Sequence, residues 1–149
     1  MVIAVILVLG IGAYLLTQQG ADNSATAGQY PSYVIALAQA IATAEGFYVP
    51  NTRPAKDHNP GDLTVDINGR GVGKDGSLII YASDDDGWDA LYQQVQKYFN
   101  GSSAHAGPDS SIADLSGVYT ATEQSSWAAN VSNTLGVDPN TSLSDLTGF

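Results

Sequence analysis

Apolar and polar positions divide the chain into three stretches. Val2 to Leu16 is an unbroken apolar run, and Met1 to Gln19 carries no charged side chain. A helix through Gln19 would be roughly 28 Å long, about the thickness of a bilayer's hydrocarbon core. A signal peptide normally begins with Lys or Arg, which is missing here, although "ATA" at Ala25 to Ala27 has the form of a cleavage site. A core helix would show a polar face, and none appears before Thr17. The reading that fits best is one transmembrane helix over residues 1–19, giving the chain a lipid membrane as partner. Neither flank carries nearby Lys or Arg, so the charge rule assigns no orientation. The following "TQQGADNSATAGQ" is small and polar, as expected of a flexible linker over residues 20–29. Residues 30–149 remain as one folded domain.

Within that domain, "YPSYVIALAQAIATAEGF" predicts a helix from about Ser32 to Glu45. Pro31 suits its start, Ile35, Ala38, Ile41 and Ala42 repeat at helical spacing, and Gly46 is a stop signal. From Leu63 to Ser83, alternation in "LTVDI", the hairpin dipeptide Asn68–Gly69 and the β run "SLIIYAS" predict two or three antiparallel strands. "GRGVGKDG" reads as further turns. "DDDGWDALYQQVQKYFNG" predicts a second helix with Trp88, Leu91, Tyr92, Val95, Tyr98 and Phe99 on one stripe. Asp84 to Asp86 are placed to cap it and to complement its dipole. A short helix is expected next, capped near Asp109 or Ser110, with Ile112, Leu115 and Val118 inward. Another follows with Trp127, Val131 and Leu135 inward and Gly136 as its end, and Thr120 and Glu123 have capping-box spacing before it. "DPNTSLSDL" closes with a turn. Helix, small sheet, then several helices describe a mostly helical α+β domain.

Composition narrows the chemistry. A net charge of −10 with five basic residues argues against nucleic acid. Without cysteine there is no disulfide and no thiolate metal site. Gly69, Gly71 and Gly73 precede no helix, so they make no phosphate-binding loop. The Asp84 to Asp86 run lacks the spaced ligands and distal Glu of an EF-hand. His58 and His105 have no third ligand at a zinc-binding spacing. No metal and no cofactor is expected, and no Ser-His-Asp arrangement has support.

Of fifteen acidic residues, two are glutamates, Glu45 and Glu123. Glu123 has its capping position. Glu45 falls in a last helical turn, where the dipole disfavours a carboxylate, and then the chain breaks into a loop rich in Pro, Asn and Gly. That is a poor place for a surface glutamate and a reasonable one for a general acid.

The segment "AIATAEGFYVPNTRPAKDHNPGDL" resembles the signature of lysozyme-like muralytic domains of phage particles and endolysins, in which a helix ends in Glu–Gly before an Asn-Asn-Pro-Gly-Asn/Asp-Leu loop. "GWDALYQQVQKYF" and "VYTATEQSSWAANVSNTLGVDPNTSL" are similar to that family's later helices. The likeness covers roughly Ser32 to Leu143, with His58 standing where the family has the first Asn of its loop. It implies a lysozyme-superfamily fold, a peptidoglycan glycan strand in a cleft between helices and sheet, and Glu45 as the catalytic acid.

A carboxyl in an apolar pocket keeps its proton near neutral pH, and Phe47, Tyr48 and Tyr119 are candidates to wall that pocket. Hydrolysis normally needs a second carboxylate. Asp57, Asp62 and Asp66 are available, none singled out by spacing, and Asp62 after Pro-Gly has bracing of the turn as its plain alternative. Some members of the superfamily are lytic transglycosylases, in which the substrate's own 6-hydroxyl attacks and one Glu serves as acid and then base. With one credible Glu, that chemistry is favoured over hydrolysis. Substrate contacts are expected at His58, Asn59, Tyr81 and Tyr119, with a loop-holding role for Asn59 and core roles for the tyrosines as alternatives. Arg53, Lys56, Arg70 and Lys74 are placed to face peptide-stem carboxylates or to form a solvated rim. The anchor suits an enzyme of a phage virion or bacterial envelope that opens the wall locally, with other virion proteins as further partners. The competing reading is a wall-binding or structural component that keeps the fold without turnover.

Overall fold

The computed structural model describes residues 26–149. The expected transmembrane helix lies outside them, and among the described residues no helix is long and apolar enough to cross a membrane. The architecture is α+β, as the order of elements predicts. Five α-helices are α1 (Ser32–Ala44), α2 (Arg53–Lys56), α3 (Asp84–Phe99), α4 (Ile112–Tyr119) and α5 (Gln124–Leu135), with 3-10 turns at Ala27–Gln29 and Ser144–Gly148. The end of the expected linker is therefore ordered, and Ala27 and Tyr30 pack against the core.

Helix α1 is the centre of the domain. Val34, Leu37, Ala38, Ile41 and Ala42 are fully buried, and the helix packs on both α3 and α5. It stops where the sequence indicates. Glu45 is its C-cap, with N–H on Ile41 O, and Gly46 follows at φ 80°. That left-handed step costs glycine little and lets Phe47 N–H reach back to Ala42 O, closing the helix end.

The sheet departs from expectation. Its strands are β1 (Gly71–Asp75) and β2 (Leu78–Tyr81), paired antiparallel with an irregularity between Gly71 and Gly73. "LTVDI" forms no strand and Asn68–Gly69 is not the hairpin turn; the Gly-rich "GVGKD", read as turns, is β1. The inner edge of β2 is taken by irregular chain, with Ile79 N–H on Leu63 O and Tyr81 N–H on Asp57 O. The loop between α2 and the sheet thus lies along β2 as a third member without being a strand.

Helix α3 is capped by Ser83, whose hydroxyl accepts from Asp86 N–H, while Asp84, Asp85 and Asp86 occupy the first turn. The reciprocal capping box belongs to α4, between Ser111 and Asp114. Thr120 Oγ1 does accept from Glu123 N–H, but Glu123 returns no side-chain bond, so that expected box is only half made. Val118, expected inward, is 38% exposed, because α4 turns that position toward an open cavity.

Candidate active site

Glu45 is positioned from two sides. Behind it, α1 is immobilised in the core. Across from it, Trp127 of α5 is buried and donates its ring N–H to Glu45 Oε1 at 2.6 Å. The Trp127 indole is in turn stacked on Tyr119, with ring centroids 4.8 Å apart and planes tilted by 15°. Tyr119 and Tyr98 bring their hydroxyls within 3.2 Å of each other. The Glu45 carboxyl thus sits in a setting made by the indole, the Tyr119 ring and the loop that carries Asp62.

That loop carries two of the positive-φ residues. Among the described residues Asn51, His58 and Asp62 have positive φ without being glycine, at 67°, 52° and 47°. Asn, His and Asp tolerate the left-handed region better than most residues, and such strain persists only where surrounding structure enforces it. Asn59 supplies that enforcement. It is fully buried. Its Nδ2 donates to Leu63 O and Ile79 O, and its Oδ1 accepts from Leu63 N–H. Asp62 N–H then closes the turn on Asn59 O. Asp62 is thereby brought near enough to Glu45 to help raise its carboxyl.

Electrostatics follow from this packing. Burial pushes the Glu45 carboxyl from the ordinary carboxylate range up to about 7. The Trp127 N–H opposes the rise by favouring the ionised form, while the charge and hydrogen bond of Asp62 add to it. Asp62 is itself raised, again chiefly by burial, with Arg53 pulling it down and Asp57 pushing it up. Burial also holds the Tyr119 hydroxyl firmly protonated, with Tyr98 and Glu45 contributing.

Asp62 and Tyr119 open onto a cavity of about 620 Å³. Leu63, Leu78, Tyr98 and Val118 give it apolar walls, and Thr64, Ser77, Gln94 and His105 give it polar ones. Glu45 is not itself among the lining residues; it is partly exposed and meets the cavity through Asp62 and Tyr119. Such a space, with few polar groups converging beside a perturbed carboxyl, has the character of a ligand site.

Of the residues singled out in the sequence, Glu45 and Tyr119 come together here. Asn59 and Tyr81 are buried, and neither lines the cavity. The Asn59 amide makes three hydrogen bonds within the protein, the loop-holding alternative expected for it. His58 is directed the other way, with Nδ1 2.6 Å from Asp84 Oδ1 at the start of α3. Phe47 packs edge-on against Trp88 at 5.5 Å, and Tyr48 is 47% exposed. Arg53 is paired with Asp75 at 2.8 Å, and Arg70 with Asp86 at 3.3 Å. Two residues were missed. Trp127 was read only as core, though a buried indole N–H needs an acceptor. Nothing in the sequence distinguishes Asp62 from Asp57 and Asp66. Among the described residues no group of His, Asp or Glu has the arrangement of a metal centre. No family model, no curated protein and no solved structure matches the chain.

Proposed function

We propose that the domain has a lysozyme-superfamily fold and cleaves the glycan backbone of peptidoglycan, with Glu45 as general acid. The observation that carries this is the setting of Glu45: a half-buried carboxyl raised to about 7, oriented by Trp127, beside a cavity large enough for saccharide units. A leaving glycosidic oxygen needs a proton, and an acid titrating near the working pH supplies one most effectively.

The reaction favoured is lytic transglycosylation. In paired-carboxylate glycosidases the two groups flank the bond and stand about 5 Å or more apart. Asp62 acts directly on the Glu45 carboxyl, whereas a carboxylate on the far side of a sugar ring would have the sugar between them. In the one-carboxylate route Glu45 protonates the departing oxygen as its bond to the anomeric carbon breaks. The substrate's 6-hydroxyl then bonds to that carbon, and its proton returns to Glu45. Residues 1–19 would tether the enzyme to a membrane, in a phage virion or bacterial envelope, so that cleavage stays local.

Full-length protein in mild detergent tests the reading on purified cell wall. Clearing that Glu45→Gln abolishes supports the enzyme, and anhydro ends in the products support transglycosylation over hydrolysis. Binding to the wall without clearing by the parent chain would favour a structural component.

A further inference from the structure

Asp62 acts directly on Glu45, unlike a carboxylate on the opposite face of a sugar, and its setting is too particular for a residue that only braces a turn. Its backbone is held left-handed at φ 47° by the buried Asn59 clamp. Its Oδ1 is buried and takes no hydrogen bond from any amide, hydroxyl or ring N–H. Native proteins seldom leave a buried acceptor without a donor. The Glu45 carboxyl interacts with Asp62, and a carboxyl can donate only when it carries a proton. Two touching carboxyls cannot both ionise without strong repulsion.

We propose that Asp62 is a positioning residue whose carboxylate accepts the hydrogen bond of the Glu45 acid, so that the pair holds one proton between them. The consequence for turnover rests on the reading of Glu45 as general acid; the sharing itself does not. The surroundings place the proton on Glu45. Arg53 on α2 favours negative charge at Asp62, with Asp57 at the end of α2 opposing it. Toward Glu45, α5 presents the Trp127 N–H and α4 presents the un-ionised Tyr119. When the proton leaves for the glycosidic oxygen, the bond to Asp62 is lost and Glu45 becomes a carboxylate facing another. That repulsion makes Glu45 a stronger base, suited to taking the proton of the attacking 6-hydroxyl. One proton leaves and one returns, so Asp62 ends each cycle as it began. Asp62 thereby acts through Glu45 and supports both of its roles.

The chain's two glutamates make the test direct. Full-length protein labelled with [13Cδ]glutamate gives two carboxyl resonances, assigned with Glu123→Gln, and each is titrated by NMR. Asp62→Asn keeps a residue that accepts positive φ, and Asp62→Gly is a second variant that accepts it without any side chain. In both, the Glu45 midpoint should fall by about one pH unit or more, and the alkaline limb of wall clearing should move down with it. An unmoved midpoint in folded variants overturns the proposal. A lowered midpoint in a protein that never clears cell wall upholds proton sharing while the enzymatic reading fails.

Discussion

Trp127 donates its indole N–H to Glu45 Oε1 at 2.6 Å, joining the end of α1 to α5 across 82 residues of chain. The contact does two opposed things. It stabilises the ionised carboxylate, and it brings the aromatic bulk that excludes water and destabilises it. The second effect wins, since burial is the largest influence on Glu45.

Trp127→Phe separates the two. The smaller ring still stacks on Tyr119 and still excludes water, but the donor is gone. Loss of a hydrogen bond to the charged form raises the Glu45 midpoint, by about one pH unit. The alkaline limb of wall clearing moves up correspondingly, while the rate at the optimum falls about tenfold because the acid is no longer aimed. A pH–rate profile of the variant, set beside the NMR titration of Glu45, checks both parts.

A raised carboxyl also acts on stability. The folded state binds the Glu45 proton more tightly than the unfolded chain does. Its contribution is therefore fully present below the ordinary carboxylate range and is lost as pH rises through about 7. Glu45→Gln removes that loss. The variant should be more stable than the parent at pH 8, by about 1–3 kcal/mol, and the gain should vanish near pH 4. Thermal melts at the two pH values measure it.

Asn59 offers a prediction about the scaffold rather than the acid. Its amide makes three buried hydrogen bonds, two that brace the Asp62 loop at Leu63 and one that joins it to Ile79 of β2. Asn59→Ala leaves those backbone groups without their side-chain partner and should cost about 3 kcal/mol or more. Urea denaturation reads the loss. The Glu45 midpoint should fall in the same variant, because Asp62 is no longer held against it.

What was legible in the sequence was what is decided locally. The helical run of α1, its Gly46 stop and the position of Glu45 at its end all come from neighbouring residues and appear as expected, although Val34 and Leu37 are buried where Ile35 was expected. The β1 strand was not legible. Its residues "GVGKD" are mostly exposed and glycine-rich, and only pairing with β2 makes them a strand. Val118 follows helical spacing but faces the cavity, since the stripe does not say where the core ends. The partners of Glu45 were hidden for a similar reason. Trp127 and Asp62 meet it through tertiary packing, and neither spacing nor composition carries that information. Asn59 had two roles open in the sequence, and its burial and three internal hydrogen bonds favour the loop-holding one.

Gly87 shows how the site depends on a contact far from the acid. It lies in the first turn of α3, where a Cβ would stand 1.8 Å from the His58 carbonyl oxygen and 2.9 Å from Pro60 Cδ. Both belong to the loop that carries Asp62, and His58 also holds Asp84 beside that glycine. By helix propensity alone, Gly87→Ala should stabilise the protein by about 1 kcal/mol. The collision is with backbone, which cannot rotate away as a side-chain tip can. The loop must therefore lift off α3, at a cost of about 1–3 kcal/mol or more. The variant should melt below the parent despite its better helix former. Its Glu45 midpoint should fall toward that of the Asp62 variants as the loop withdraws. Gly28→Ala is the control: nothing lies within 4 Å of its added carbon, so neither the melt nor the titration should change. A Gly87→Ala protein with an unaltered Glu45 midpoint would mean that the seating of the loop on α3 does not govern how Asp62 meets the acid.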